Sequence, residues 1–396
     1  MTQDYSLNQQ LNHIEVSEIR QFDEAVSGIP GILKLTLGEP DFNTPEHVKQ
    51  AAIDAIENNY SHYTGMAGDP ELRQAVADFI HTKYQVDYRP TDEILVTVGA
   101  TEALATAITT ITNPGDALLL PAPIYPGYLP LLHLNQVTPI YIDTRATDFV
   151  LTPELIEATI TAHPEANIKG IILNYPSNPT GVTYRDHEVQ ALAQVIKNHH
   201  LIAISDEIYS ELTYGESHVS LAKYAFDQTI LVNGLSKSHA MTGWRIGFLM
   251  APSTLTTEMK KVHQYLVTAA TTVAQRAAIE ALTTGIDDGQ AMKAEYLKRR
   301  DFMFAGLQEL GFSVARPDGA FYLFAKIPAE LQLNSRDFTK ALAEENQLAI
   351  IPGTAFGDAG EGYVRLSYAA SMATLEDAMA RLTTFMINHR AANQTA

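Results

Sequence analysis

Through the middle of the chain, short β-rich apolar runs alternate with segments of helical pattern. The runs are DEILVTVG (92–99), ALLLPAP, TPIYID, KGIILNY, LIAISDE, TILVNGL and IGFLMA, and each predicts a strand. An Ala/Thr/Leu-rich stretch from Glu102 to Ile111 predicts the helix after the first of them, and His187 to Lys197 predicts another. Such alternation is the mark of βαβ units, hence an α/β fold with a mostly parallel sheet flanked by helices. Ligands of such sheets bind outside the carboxyl ends of the strands.

The two ends of the chain read differently. A short apolar helix pattern (Ile14, Ile19, Phe22) precedes LKLTLGEPD. A long helical region from about Leu255 to Ala305 leads into FSVARPDGAFYLFA, a strand pair turning at Pro317 to Gly319. The helix RDFTKALAEE, two strands (LAIIPG and YVRLSYA) and a last helix at Ala373–Asn388 follow. The expected organisation is a large α/β domain at 45–285 and a smaller α+β domain assembled from both termini, 1–44 and 286–396. No internal repeat, low-complexity stretch or charge block interrupts it.

Composition narrows the classes of function. The chain has 396 residues, 46% hydrophobic and 18% charged, as in ordinary folded proteins. A net charge of −19 argues against nucleic acid and anionic membrane surfaces as partners. An anionic ligand must therefore be held by a few local cations and backbone amides. There are no cysteines, which excludes disulfides, thiolate metal sites and cysteine nucleophiles. The opening MTQDYSLNQQ has no basic segment followed by an apolar core, and no apolar run approaches the ~20 residues that span a bilayer. A cytoplasmic location is the simplest expectation.

Candidate chemistry centres on NGLSKSHAMTGWRIGF. Lys237 falls in a turn after a strand, where its amine could reach an aldehyde cofactor and form a Schiff base. Ser236 and Arg245 could both serve a phosphate, with Gly243 and Gly247 permitting close backbone approach. On these residues alone, a solvated loop lysine beside a structural arginine is as good a reading. Asp206 ends the run LIAIS, where a carboxylate can keep a pyridine nitrogen protonated, and Tyr209 can donate its phenol to a ring oxygen. The plainer alternative is a helix-capping aspartate and a half-buried tyrosine. NYPSNPTG (174–181) makes Asn178 available at a strand end, or is simply a turn. VGATEA (98–103) offers Ala100, the Thr101 hydroxyl and a helix N-terminus to a phosphate, although many such turns bind nothing. Tyr125, in PAPIYPGY, could stack on a planar ring or be a turn aromatic.

Taken together and in this order, these motifs resemble the class I, fold-type I, pyridoxal 5′-phosphate-dependent aminotransferases over nearly the whole chain. The segment from Gly234 to Gly247 matches that family's lysine signature. The resemblance implies that Lys237 carries the cofactor as a Schiff base and then moves the substrate proton. It implies that Asp206 pairs with the pyridine nitrogen, and Asn178 and Tyr209 with the ring oxygen. Ala100, Thr101, Ser236 and Arg245 would hold the phosphate. Tyr63, in SHYTGMAGDPELR, resembles the tyrosine that reaches the neighbouring subunit's phosphate, which implies a homodimer with active sites at the interface. Arg365, in GYVRLSYAA, resembles the clamp on the substrate's α-carboxylate, and Gly38, in LTLGEPD, the glycine beside it. No metal is implied.

Within the family the chain looks closest to bacterial aromatic-amino-acid aminotransferases, with N-acetyl-diaminopimelate aminotransferases nearly as similar. The implied reaction is a ping-pong exchange of an amino group between an amino acid and a 2-oxo acid such as 2-oxoglutarate. An apolar pocket of Ile14, Ile19 and Tyr63 would suit a phenyl ring, whereas Arg20 could serve a second carboxylate of aspartate or glutamate. A β-lyase on the same fold is a lesser alternative, as is a regulator, for which the first ~40 residues leave no basic DNA-binding module.

Overall fold

The computed structural model describes residues 7–395. The chain opens with a single 3-10 turn at Gln9–His13 and the helix Glu18–Val26. Ile19 and Phe22 sit on that helix, whereas Ile14 lies in the extended segment before it. The strands are β1 (Leu33–Lys34), β2 (Ile94–Thr97), β3 (Ala117–Ala122), β4 (Thr138–Asp143), β5 (Ile168–Asn174), β6 (Ile202–Asp206), β7 (Thr229–Gly234) and β8 (Gly247–Met250). They are followed by β9 (Ser313–Val314), β10 (Tyr322–Lys326), β11 (Leu348–Ala349), β12 (Ile351–Pro352) and β13 (Tyr363–Ser367).

Seven strands form the central sheet in the order β2-β8-β7-β6-β5-β3-β4. All neighbours are parallel except β8, which runs antiparallel to both β2 and β7. Both faces are covered, so alternate residues of one strand enter different cores. Ile230 and Val232 pack with the helix Gly99–Ile111, while Leu231 packs on the opposite side against the helices Pro70–Tyr84 and Thr272–Leu282. Burial on both faces is why these strands read as unbroken apolar runs rather than as an alternation.

The region after β8 is three helices, Ser253–Leu266, Thr272–Leu282 and Gly289–Glu309, instead of one long helical stretch. The first break follows Val267, where Thr268 takes the left-handed conformation at φ 67° and ends the helical path. The second falls at Thr283–Asp288, where a side chain on Gly285 would lie 2.4 Å from the Asp288 carboxylate and 2.9 Å from His47.

LAIIPG, expected as one strand, divides at Ile350. Leu348–Ala349 pairs in parallel with β1 near the start of the chain, and Ile351–Pro352 pairs with β13. The chain passes from one small sheet to another because the two halves of this segment pair with different strands, and Pro352 has no N–H to extend a ladder. The second sheet is antiparallel, in the order β12-β13-β10-β9. Leu35 joins Leu323, Phe338, Leu366 and Phe385 in one core, so a residue near the start is buried among residues from the end. Among the described residues no helix is long and apolar enough to cross a membrane.

Candidate active site

A cavity of about 540 Å³ opens at the carboxyl ends of β5, β6 and β7. Its wall includes Gly38, Ala100, Thr101, Tyr125, Asn178, Asp206, Tyr209, Ser236, Lys237, Arg245 and Arg365. These residues come from loops and strands far apart in sequence, and each was singled out from its motif. Tyr63 is not among them: it lies outside the cavity at 85% exposure.

Lys237 reaches across from the end of β7, and its Nζ donates a 2.5 Å hydrogen bond to the carbonyl oxygen of Gly38. Burial pushes its amine down to about 8, against the opposing pull of the Glu39 carboxylate. An amine with that pKa is neutral in a usable fraction near neutral pH, which a nucleophile toward an aldehyde requires. Asp206 ends β6 and is 4% exposed. Its Oδ2 accepts a 2.6 Å bond from the Tyr128 hydroxyl, and its Oδ1 a longer one from the amide of Ile208. Burial raises its carboxyl to about 6, while the Tyr128 bond and the Lys237 charge oppose the rise.

On the far wall, Arg365 of β13 is 2% exposed. Its Nη1 donates to Asn178 Oδ1 at 3.1 Å and its Nη2 to the carbonyl of Thr36. The Tyr322 ring lies 4.6 Å from the guanidinium carbon and the Phe356 ring 5.0 Å. Among the described residues it has no carboxylate partner, and its Nε has no hydrogen-bond partner. A buried, incompletely paired guanidinium costs free energy, and it is the arrangement expected where a ligand carboxylate completes the pairing.

The third feature is a tight junction of backbone and arginine. Gly99 opens the helix Gly99–Ile111 at φ 74°, and a side chain there would lie 2.6 Å from Arg245 Nη2. A Cβ on Gly247 would fall 2.5 Å from the Gly99 carbonyl carbon and 2.7 Å from the Ala100 nitrogen. These contacts set the Arg245 guanidinium against a helix N-terminus, and Thr101 and Ser236 line the same cavity, a donor set suited to a dianion. Gly243, by contrast, faces open space, so no close approach requires a glycine there. Gly247→Ala should lower the melting temperature by several degrees and weaken phosphate-dependent cofactor binding at least tenfold, read by thermal melting and cofactor titration. An unchanged affinity would show that the junction is only structural.

Reading the sequence did not find Tyr128, Asn174 or Tyr322. Tyr128 lies three residues past Tyr125 in IYPGY, as the first residue of a short helix, and the two rings meet edge to face at 5.4 Å. Asn174, the last residue of β5, receives the amide of Asn178 on its Oδ1 at 2.8 Å and so shapes the Asn-Pro-Thr-Gly turn. Of the apolar pocket expected from Ile14, Ile19 and Tyr63, only Ile19 lines the cavity. Ile14 precedes the helix that carries Ile19, and Tyr63 is exposed and does not line the cavity. Arg20 does line the cavity and makes no hydrogen bond or ion pair with the described residues.

Residues 30–382 match the family model for aminotransferase class I and II. The chain belongs to this family. Its members use pyridoxal 5′-phosphate, and the fold is the fold-type I arrangement of its solved relatives. The aminotransferase is 46% identical over 392 residues to a probable N-acetyl-LL-diaminopimelate aminotransferase of Bacillus subtilis, covering 99% of this chain and 98% of the relative. It is 36% identical to aromatic-amino-acid aminotransferase 2 of Thermococcus litoralis, covering 95% and 97%. The aspartate aminotransferase of Thermus thermophilus, solved with maleate, superposes with a TM-score of 0.90 at 33% identity, covering 96% of this chain and all of that one.

Proposed function

We propose that this aminotransferase holds pyridoxal phosphate on Lys237 and acts on amino acids whose side chain carries a second carboxylate. The single observation behind the substrate class is Arg20, a cation in the cavity wall that makes no hydrogen bond or ion pair with the described residues and acts only at longer range on Asp23 and Tyr125. The relatives named for N-acetyl-LL-diaminopimelate and for aspartate both handle side chains of that kind.

The cavity fits the cofactor. The Arg245, Ser236 and Ala100–Thr101 donors suit its phosphate, and Asp206 lies where it can face the ring nitrogen. Tyr209 and Asn178 would be the donors for its phenolic oxygen, and Tyr125 would cover the ring. When bound, pyridoxal phosphate supplies an electron-withdrawing ring that makes the substrate's Cα proton acidic. Asp206, held as a carboxylate by the Tyr128 bond, keeps that ring's nitrogen protonated. Arg365 takes the α-carboxylate in bidentate fashion, with Asn178 and Gly38 beside it, which turns the Cα proton toward Lys237. The neutral Lys237 amine would be the base that accepts this Cα proton.

Tyr63 and Met66 on one loop, and Tyr265 and Leu266 at the end of the helix Ser253–Leu266, are exposed apolar side chains, and the bond from His263 Nε2 to the Met66 carbonyl joins the loop to that helix. A second copy of the chain fits such a surface, and a homodimer would bring Tyr63 to the partner's cavity. Aromatic donors are the second reading, favoured by Ile19 and Leu37 beside Arg20 in the wall.

The test is a half-reaction series with the holoenzyme and Arg20→Gln, using aspartate, an N-acylated diaminopimelate and phenylalanine. Arg20→Gln should lower kcat/KM for the two acidic donors about tenfold, the worth of one charge-assisted contact at a partly solvated site. Phenylalanine should change less than about threefold. Equal losses for all three donors would sink the Arg20 assignment, and phenylalanine as the preferred donor would install the aromatic reading.

A further inference from the structure

The strand Tyr322–Lys326 places one aromatic residue of GAFYLFA against three parts of the site at once. Tyr322 is fully buried, and its hydroxyl lies 2.7 Å from the hydroxyl of Tyr209. A Cβ added at Gly38 would come within 2.1 Å of the Tyr322 oxygen, so that oxygen occupies the space the glycine leaves empty. The guanidinium of Arg365 covers the face of the same ring.

Two hydroxyls at hydrogen-bond distance share one proton, and the second proton must point elsewhere. The two environments differ. Burial raises both phenols, Tyr209 further, and the Arg365 charge opposes the rise at both. The more acidic phenol is the better donor. The Tyr322 oxygen is walled by Gly38, and among the described residues its hydroxyl has no acceptor except Tyr209. Tyr209 faces Tyr322, Arg365, Asp206 and the amine of Lys237, which lies 5.6 Å from its ring centroid.

We propose that Tyr322 is a positioning residue, whose hydroxyl donates to Tyr209 and so turns the Tyr209 proton toward the cofactor's phenolic oxygen. This rests on the reading of Tyr209 given under the proposed function. A phenol that accepts one hydrogen bond becomes a stronger donor in the next, so the pair acts as one polarised unit. Arg365 is linked to the same unit through the Tyr322 ring, which couples the carboxylate clamp to the donor at the cofactor.

The experiment is a pH titration of the visible absorption band of four holoenzymes: the parent, Tyr209→Phe, Tyr322→Phe and the double variant. A donor at the phenolate oxygen withdraws charge that otherwise holds a proton on the nitrogen of the Lys237 linkage. Loss of that donor therefore moves the midpoint to higher pH. Tyr209→Phe should move it most. Tyr322→Phe, which keeps the ring over Arg365, should move it the same way by about 0.5 to 1 pH unit, the scale of one hydrogen bond. The double variant should match Tyr209→Phe alone.

A midpoint for Tyr322→Phe that equals the parent's overturns the proposal, and so do additive shifts in the double variant. If Tyr209→Phe leaves the midpoint in place, the cofactor role of Tyr209 falls and the relay with it. The presence of the band in that variant still reports the Lys237 linkage, so the two failures are told apart. A packing role alone would lower the melting temperature of Tyr322→Phe without moving the midpoint.

Discussion

Lys237→Ala should abolish the visible band of the holoenzyme and lower the half-reaction rate by at least about four orders of magnitude. Two losses combine there, the covalent attachment and the amine that moves the Cα proton, and proton transfer by a positioned base is alone worth about 10²- to 10⁴-fold. The variant should nonetheless fold. The folded protein depresses this amine to about 8 from the ordinary lysine value of 10.5. Between those two pH values the unfolded chain binds more protons than the folded one, so stability rises with pH across that window. Below pH 8 the buried amine is a cost, and cofactor-free Lys237→Ala should melt no lower than cofactor-free parent at pH 7. Turnover within tenfold of the parent would refute the role of Lys237, and a collapsed melting temperature would refute the electrostatic account.

The second large effect belongs to Arg365→Leu. A bidentate pair with a carboxylate comprises two charge-assisted hydrogen bonds, each worth about 1.5–3 kcal/mol. Their loss should lower kcat/KM for every amino-acid donor by about 10²- to 10⁴-fold. Arg365→Lys should recover little, because an ammonium cannot reproduce the planar fork. Leucine leaves the Asn178 Oδ1 and the Thr36 carbonyl without their present donors but removes a buried cation that has no carboxylate partner. Stability should therefore fall less than activity. A loss of less than about threefold in kcat/KM, with the fold intact by circular dichroism, would place the carboxylate elsewhere.

The central sheet was legible because strands buried on both faces are written as unbroken apolar runs. LIAIS and TILVNG correspond to β6 and β7 almost residue for residue. The motif residues were legible because the chemistry sits at strand ends, where a polar residue interrupts an apolar run. What was not legible depends on contacts between distant segments. Tyr322 meets Tyr209 across 113 positions, and in GAFYLFA it reads as one aromatic among three. Tyr128 becomes the partner of Asp206 only because Gly127 carries the chain into a short helix there; a Cβ on Gly127 would lie 2.4 Å from the Tyr125 ring. The division of LAIIPG depends on β1, which the local pattern does not include. Ile14 lies in the extended segment before its helix and Tyr63 is exposed outside this chain's cavity, and the local pattern specifies neither placement.

The parallel pairing of β1 with β11 has a consequence for synthesis. Leu33 finds its strand partner in Leu348, and the Thr36 carbonyl its donor in Arg365, each more than 300 residues further along. At ribosomal rates of about 5–20 residues per second, the segment carrying Arg20 and Gly38 waits roughly 15 s to a minute for the strand that seats it. In the last part of that interval the proposed phosphate junction around Gly99, Arg245 and Gly247 is already complete in sequence, whereas the proposed carboxylate clamp is not. A nascent or prematurely terminated chain can thus present its cofactor cradle before it has any means of selecting an amino acid, so substrate recognition is the last property the polypeptide acquires.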